Sequence, residues 1–301
     1  MEQLLAELKQ LDSGSVMSGE PLSGYTTWKI GGPADILVIP QNKEQLVSVV
    51  RLLYKHGVPW TNLGRGSNLL VSDKGIRGVV IQPGEEFDYA QFDGTLVHAG
   101  AAYSFIKLSV LAGKEGLTGL EFAGGIPGSV GGAVYMNAGA HGSDVSRIFK
   151  SADIVLETGE LVHCGKEQMG FSYRHSFLHE QPGIVVGATF ELSLADRKQI
   201  ASSMSAYKER RLRTQPLKLN TAGSVFRNPP NDFAARLIEE AGLKGMRCGD
   251  AEVSTQHANF IVNTGQAKAE DVLTLMTTIR STVKDRFGVD LVPEVLVVGE
   301  R

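Results

Sequence analysis

The chain has 301 residues, 42% of them hydrophobic and 21% charged, with a net charge of −3 at pH 7. This composition is typical of a globular protein of two or three domains. The basic residues are scattered apart from residues 208–213, and no apolar run approaches the roughly 20 residues of a membrane span, so we expect neither a nucleic-acid partner nor a membrane span.

The N-terminus and the two cysteines indicate a cytoplasmic protein. Residues 1–11 carry an amphipathic leucine pattern and lack the basic and then apolar order of a signal peptide. Cys164 and Cys248 lie far apart and match no spacing of metal ligands or redox pairs. We therefore expect reduced thiols, no metal site and a cytoplasmic location. We also expect a monomer, although neither feature bears on the oligomeric state.

Residues 1–84 are predicted to form a first α+β unit. Helices are predicted over 1–11 and 43–56, and the second begins after Asn42 as its N-cap and ends at Gly57. Strands are predicted over 34–40, 58–64 and 78–83.

Residues 85–213 and 214–288 are predicted to form a second and a third unit. The second unit holds strands at 95–101 and 183–192, helices at 103–115 and 196–213, and a hairpin over 152–164 that turns at Thr158-Gly159. The third unit holds helices at 232–241 and 269–287. A last strand at 290–299 is expected to rejoin the second unit, as part of residues 289–301.

Glycine is concentrated between Gly116 and Gly142. Nine of these 27 residues are glycine, against 35 of 301 in the whole chain, and the residues between them are apolar rather than linker-like. Glycine permits positive φ and close approach of the backbone to another group. A tight crossing of loops would explain this pattern, but we favour a backbone that wraps around a ligand, because a second loop has the same character.

That second loop is "LGRGSNLLVSD", residues 63–73. It is neither a dinucleotide fingerprint, which needs a third glycine and a following helix, nor a Walker loop, which needs Gly-Lys-Ser/Thr. If it holds phosphates, it does so with turn amides, Ser67 and Asn68. Taken alone it is also compatible with a plain hairpin turn. Two such loops in neighbouring units favour one long ligand, such as a dinucleotide.

Three scattered polar residues are candidates for chemistry. Arg174 follows an aromatic pair, Ser224 directly follows Gly223, and Glu294 lies behind Pro293 in an apolar strand. Each has a plain structural explanation: a surface ion pair, a turn residue, or a solvent-facing strand position. A carboxylate in an apolar strand is nevertheless costly unless it is paired or neutral.

Seven segments of the chain, in this order, carry a family resemblance: "TTWKIGGPAD", "LGRGSNLLVSD", "GGIPGSVGGAVYMNAGAHG", "YRHSFL", "NTAGSVFRNP", "GLKGMRCGDAEVSTQHANFIVN" and "VPEVLVVG". Together they resemble the UDP-N-acetylenolpyruvoylglucosamine reductases, flavin enzymes of bacterial peptidoglycan synthesis. The resemblance runs from about residue 20 to the end. The compact stretch from Gly242 to Asn263 resembles the shorter form of the family, which lacks an extra tyrosine-bearing substrate loop.

The resemblance implies an α+β fold, with a two-part FAD-binding domain of the vanillyl-alcohol oxidase type and a smaller α+β substrate-binding domain. It implies noncovalent FAD, NADPH as the reductant and a UDP-sugar enolpyruvyl ether as the small-molecule substrate. The FAD contacts that it implies are Gly64, Arg65, Gly66, Ser67, Asn68, Gly124, Gly125, Ile126, Pro127, Gly128, Ser129, Gly131, Asn137, Ala138 and Gly139.

The resemblance also assigns roles to the three scattered residues. Ser224 matches the proton donor of the family, while Arg174 and a protonated Glu294 stabilise negative charge that develops on the substrate carboxylate. Asn228 and His257 are implied as substrate contacts. Strand alternation would put Val292, Glu294 and Leu296 on one apolar face, which favours the neutral acid.

Two alternatives remain at this point. One is an FAD oxidase of the same fold, with flavin attached through a histidine such as His98 or His141, and the other is a non-catalytic sugar-nucleotide binding module. Arg174, Ser224 and Glu294 in their family contexts argue against both.

Overall fold

The computed structural model describes residues 1–300. The α-helices are α1 Glu2–Gln10, α2 Lys43–His56, α3 Phe105–Lys114, α4 Val130–Tyr135, α5 Arg197–Thr214, α6 Ala234–Glu240 and α7 Ala269–Phe287. The strands are β1 Ser15–Pro21, β2 Pro33–Ile39, β3 Trp60–Asn62, β4 Leu69–Val71, β5 Ile76–Ile81, β6 Ala90–Asp93, β7 Leu96–Gly100, β8 Leu117–Thr118, β9 Gly139–Ala140, β10 Ser143–Asp144, β11 Phe149–Leu156, β12 Leu161–Gly165, β13 Gly183–Glu191, β14 Ser193–Leu194, β15 Arg247–Cys248, β16 Ala251–Val253, β17 Ile261–Asn263 and β18 Leu296–Val298. No helix within residues 1–300 is long and apolar enough to cross a membrane.

The helix boundaries follow local capping signals. The Asn42 side chain accepts a hydrogen bond from the Gln45 amide at the start of α2, and Gly57 ends the helix in the left-handed conformation. Gly288 ends α7 in the same way. The predicted helices over 43–56 and 269–287 are confirmed, because α2 and α7 have the same bounds.

Two larger sheets carry most of the strand pairing. One has the order β1-β2-β5-β3, and the other, with five strands, has the order β12-β11-β13-β7-β6. The predicted hairpin over 152–164 is confirmed, because β11 and β12 pair antiparallel and Gly159 takes a positive φ of 79° at the turn.

The chain divides into two compact units. The first comprises residues 1–18, 35–65 and 78–209, and the second comprises 19–34, 66–77 and 210–301. One hydrophobic core of the first unit packs around Phe105 and Phe190. The core of the second unit includes Trp28, Phe226 and the buried face of α7.

This division differs from the predicted boundaries in two respects. Residues 1–84 are shared between the two units rather than forming one. The C-terminal segment does not rejoin residues 85–213, because β18 pairs in parallel with β4 and belongs to the second unit. Sequence patterns locate strands but carry little information about pairing over more than 200 residues.

Candidate active site

The two glycine-rich segments meet within the first unit. A Cβ atom added to Gly64 would lie 2.7 Å from Ser129 Oγ. Ser129 is buried and caps α4, where its hydroxyl accepts a hydrogen bond from the Gly132 amide. The backbone of the first loop therefore runs directly against the second segment, and this approach requires a residue without a side chain.

Other glycines in these segments also exclude a side chain. Gly128 has a φ of 147°, and a Cβ on Gly139 would lie 2.5 Å from the Ser143 carbonyl oxygen. In the second unit, Gly66 has a φ of 61°, and its Cβ would lie 2.2 Å from the Tyr25 carbonyl oxygen. At Gly131 the absence of a side chain serves packing within the protein. Its amide donates to the Ala101 carbonyl, and an added Cβ atom would lie 3.1 Å from Ala101 Cβ.

These segments fit a flavin dinucleotide in their chemistry. Strand β4, not a helix, follows the first loop, so an anion at this loop would be bound by turn amides and not by a helix N-terminus. Arg65 and Pro127 are exposed; among their direct neighbours Gly66 is buried, and Gly64 and Gly128 are half-buried. The other predicted contacts lie on the same segments: Gly124, Gly125, Ile126 and Ala138.

Arg174 lies in a two-residue turn of the first unit. Ser172 and His175 exchange both backbone hydrogen bonds across this turn, at 3.2 Å each. Arg174 takes a φ of 56°, in the left-handed region that residues with a Cβ seldom occupy. Its Nη2 donates to the Gly139 carbonyl at 2.8 Å, and its guanidinium carbon lies 4.9 Å from the centre of the Tyr173 ring.

Ser224 and Glu294 come together in the second unit through the backbone. The Glu294 amide donates to the Val225 carbonyl at 2.8 Å, and Phe226 pairs with Pro293. On the opposite side, Ser224 pairs with Phe260. The segment that carries Ser224 is therefore held between two others.

The first loop reaches Glu294 as well. Asn68 Nδ2 donates to the Glu294 carbonyl at 3.1 Å, and the Leu296 amide donates to the Asn68 carbonyl at 3.0 Å. One predicted FAD contact and two predicted catalytic positions, from three distant parts of the chain, are thus joined in the second unit.

The surroundings of Glu294 differ from the prediction. The strand begins at Leu296 rather than at residue 290, so regular alternation does not extend to Val292, which is 54% exposed. Glu294 is half-buried. The expected apolar face of Val292, Glu294 and Leu296 is wrong, because pairing with residues 225–227 replaces a regular strand there.

The two predicted substrate contacts lie at different places in the second unit. Asn228 is exposed, and its Oδ1 accepts from the Ala234 amide at the start of α6. His257 is half-buried, with its ring edge-on to Phe260. Burial lowers the pKa of His257, and Lys244 lowers it further, so the ring is neutral at pH 7.

The two histidines considered for covalent flavin are engaged by protein groups. His98 Nδ1 lies 3.0 Å from Thr189 Oγ1 on the five-stranded sheet. The His141 ring stacks on Tyr207 with 3.9 Å between the ring centres.

Several supporting residues were missed by sequence reasoning. Asn259 is buried and holds the Phe226 backbone from both sides, accepting from its amide and donating to its carbonyl. Thr27 Oγ1 donates to the Thr221 carbonyl, and the Thr27 amide donates to the Gly66 carbonyl. An asparagine inside the apolar run "ANFIVN" was the available signal for Asn259.

Two family models match parts of this chain. Residues 34–165 match an FAD-binding domain model, and residues 215–298 match the model "UDP-N-acetylenolpyruvoylglucosamine reductase, C-terminal domain". The crystal structure of a UDP-N-acetylenolpyruvylglucosamine reductase from Thermus caldophilus superposes with a TM-score of 0.81 at 37% identity, covering 94% of this chain and 98% of that one. A berberine bridge enzyme variant, at 12% identity and a TM-score of 0.50 over 64% of this chain and 44% of its own, shares the fold alone.

An α+β chain with an FAD-binding domain and reductase relatives defines a flavin-dependent oxidoreductase, so the predicted fold class and enzyme class are confirmed. UDP-N-acetylenolpyruvoylglucosamine reductases from Bacillus licheniformis and Halalkalibacterium halodurans are 50% and 48% identical over 100% of both chains. The chain belongs to the UDP-N-acetylenolpyruvoylglucosamine reductase family.

Proposed function

We propose that this protein reduces UDP-N-acetylenolpyruvoylglucosamine to UDP-N-acetylmuramate for peptidoglycan synthesis, with noncovalent FAD and with NADPH as the reductant. We further propose that it acts in the cytoplasm as a monomer. Support comes from full-length relatives named for this reductase activity and from the FAD-binding domain match.

The observation that carries the proposal is the junction in the second unit. Asn68 bonds the Glu294 carbonyl at 3.1 Å, and Glu294 bonds Val225, the residue after Ser224, at 2.8 Å. The loop that carries Asn68 is thereby joined to the backbone segments that carry Ser224 and Glu294. A binding module would have no need to fix a proton donor and an acid beside a flavin loop.

The residues of the chain then have distinct tasks. When bound, FAD would supply hydride transfer, from NADPH to the far carbon of the substrate double bond. Arg174 binds the substrate carboxylate with a permanently charged, planar fork. Ser224 donates a proton to the carbon next to that carboxylate, which completes the saturation of the double bond. Glu294 is the acid group that we assign to the place where negative charge develops.

An anaerobic titration tests this proposal. NADPH should bleach the yellow protein, and the enolpyruvyl substrate should then restore the colour with one equivalent of product. Restoration by oxygen, but not by the substrate, would indicate an oxidase instead. A protein purified without colour that also binds no added FAD would favour a binding module.

Noncovalent attachment has its own test. Acid precipitation should release the flavin into the supernatant, because His98 and His141 already contact protein groups. Yellow colour that stays with the precipitated polypeptide would contradict this part of the proposal.

A further inference from the structure

Two segments of the first unit are joined side by side along their length. Residues 135–139 belong to the glycine-rich segment, and residues 172–179 carry Arg174. Three hydrogen bonds connect them, and the first joins Ser176 Oγ to the Tyr135 carbonyl at 2.7 Å. The second joins Asn137 Nδ2 to the Ser172 carbonyl at 2.8 Å, and the third joins Arg174 Nη2 to the Gly139 carbonyl at 2.8 Å.

Asn137 is occupied by this junction. It is only 2% exposed and takes a φ of 42°. Its Nδ2 donates to Ser172, and its Oδ1 accepts from the Ser146 amide at 2.9 Å. The side chain predicted to contact FAD therefore fixes the Arg174 turn to the flavin segment.

Ser176 is the second buried residue whose side chain joins the two segments. It has no exposed surface, and besides the bond from its hydroxyl to Tyr135, its amide donates to His179 Nδ1 at 3.4 Å at the start of the short 3₁₀ helix Phe177–His179. The His179 ring stacks on Tyr135 at 4.2 Å and on His175 at 4.9 Å between ring centres. Hydroxyl and rings together fix the chain immediately after Arg174.

The conformation of Arg174 needs such support. A left-handed conformation at a residue with a side chain costs about 1–3 kcal/mol and persists only where the surroundings enforce it. Here the enforcing groups are the Asn137 side chain, which belongs to the glycine-rich segment, and the Ser176 hydroxyl, which donates to that segment. Any ligand that orders residues 135–139 also orders the turn that holds Arg174.

We propose that Ser176 and Asn137 are positioning residues that couple occupancy of the FAD site to the placement of Arg174. This inference rests on the proposed function. Because coupling is reciprocal, loosening the Arg174 turn weakens FAD binding, and removing FAD frees the turn. The coupling lets the guanidinium reach its working position only in flavin-loaded protein.

The test compares two buried serines of the same unit. Ser13 is 1% exposed and donates to the Leu8 carbonyl at 2.7 Å, which matches the Ser176 bond in burial and length. We expect Ser176→Ala to weaken FAD binding about 5- to 150-fold, the usual range of site coupling. Ser13→Ala should leave the FAD dissociation constant unchanged. Equal effects of both substitutions would overturn the proposal.

Proteolysis reports on the turn without any activity measurement. Trypsin should cut after Arg174 rapidly in protein stripped of flavin and slowly once FAD is added. In Ser176→Ala, saturating FAD should restore little of this protection. Protection in wild-type protein that does not depend on FAD would contradict the coupling.

Half-reactions separate positioning from a purely structural role. In Ser176→Ala saturated with FAD, reduction by NADPH should stay close to that of wild type, while reoxidation by substrate slows about 10²-fold, as expected for a displaced binding group. Equal slowing of both steps would sink the positioning role. If Ser176→Ala fails to fold, Ser176→Cys keeps the volume with a weaker donor and should show the same split to a lesser degree. If the substrate does not reoxidise even the wild type, the proposed function fails, and the FAD and trypsin measurements still decide the coupling.

Discussion

Arg174 and Ser224 are held in place by different means. On one side of Arg174 the Asn137 side chain donates to the Ser172 carbonyl, and on the other side the Ser176 hydroxyl donates to the Tyr135 carbonyl. Arg174 itself takes an uncommon backbone conformation. Ser224 lies in an extended segment between two partners, and most of its support comes from backbone pairing. The position of Arg174 therefore depends on particular side chains, whereas that of Ser224 tolerates most substitutions nearby.

The largest expected effect is at Ser224 itself. Since its neighbours are held through the backbone, Ser224→Ala should fold normally and bind FAD. Reduction by NADPH should remain nearly intact, and reoxidation by substrate should slow about 10²–10⁴-fold, the cost of losing a general acid. Stopped-flow measurement of the two half-reactions checks this. Loss of both steps would show that the Ser224 side chain supports the structure, and that backbone pairing alone does not hold this segment.

Glu294 lies on the segment that pairs with the residues after Ser224, and its place also depends on backbone bonds. Its amide and carbonyl carry the pairing, so neither Glu294→Gln nor Glu294→Ala should disturb the fold. Glu294→Ala should slow substrate reduction about 10²–10³-fold, as for removal of one donor at developing charge. Glu294→Gln keeps a donor and should retain far more activity. If both variants are equally slow in single-turnover reoxidation, proton transfer by Glu294 becomes the better account.

Asn259 is the exception in the second unit, because its side chain bridges both backbone groups of Phe226. Asn259→Ala leaves a buried amide and a buried carbonyl without partners, so the free energy of unfolding should fall by about 2 kcal/mol or more. Urea unfolding followed by fluorescence measures this change. Asn228→Ala, at an exposed residue with one such bond, serves as control and should change stability far less.

The smallest expected effect is a pH dependence at His257. Burial is the main cause that lowers its pKa from the ordinary value of 6.5, so the unfolded chain takes up the proton first. The stability that follows from the neutral ring is complete above pH 6.5 and declines as the pH falls towards the folded pKa. His257→Gln should remove this decline, which urea midpoints between pH 7.5 and 5 would reveal. An unchanged slope would mean that His257 is not the titrating group.

The sequence predicted those parts of the molecule whose signals are local. Asn42 and Gly57 bound α2 as expected, and the hairpin turns at Gly159, because capping and turn geometry act within a few residues. The glycine-rich segment was recognised by composition, and its likeness to a flavin segment agrees with the matched FAD-binding domain. The strand at 290–299 was overestimated, since apolar residues alone do not distinguish a strand from an extended segment with irregular pairing.

The amino-acid sequence by itself determined the helices, the bare backbone of the two loops, the family and the three residues proposed for chemistry. Tertiary structure decided which segments touch: Asn68 with Glu294 across 226 residues, Thr27 with Thr221 across 194, and Ser176 with Tyr135 across 41. It also decided that the side chains of Asn137 and Asn259 form hydrogen bonds that hold neighbouring segments together. The physical reason is that a hydrogen bond between distant segments depends on how the whole chain packs, and no local pattern of residues encodes that partner.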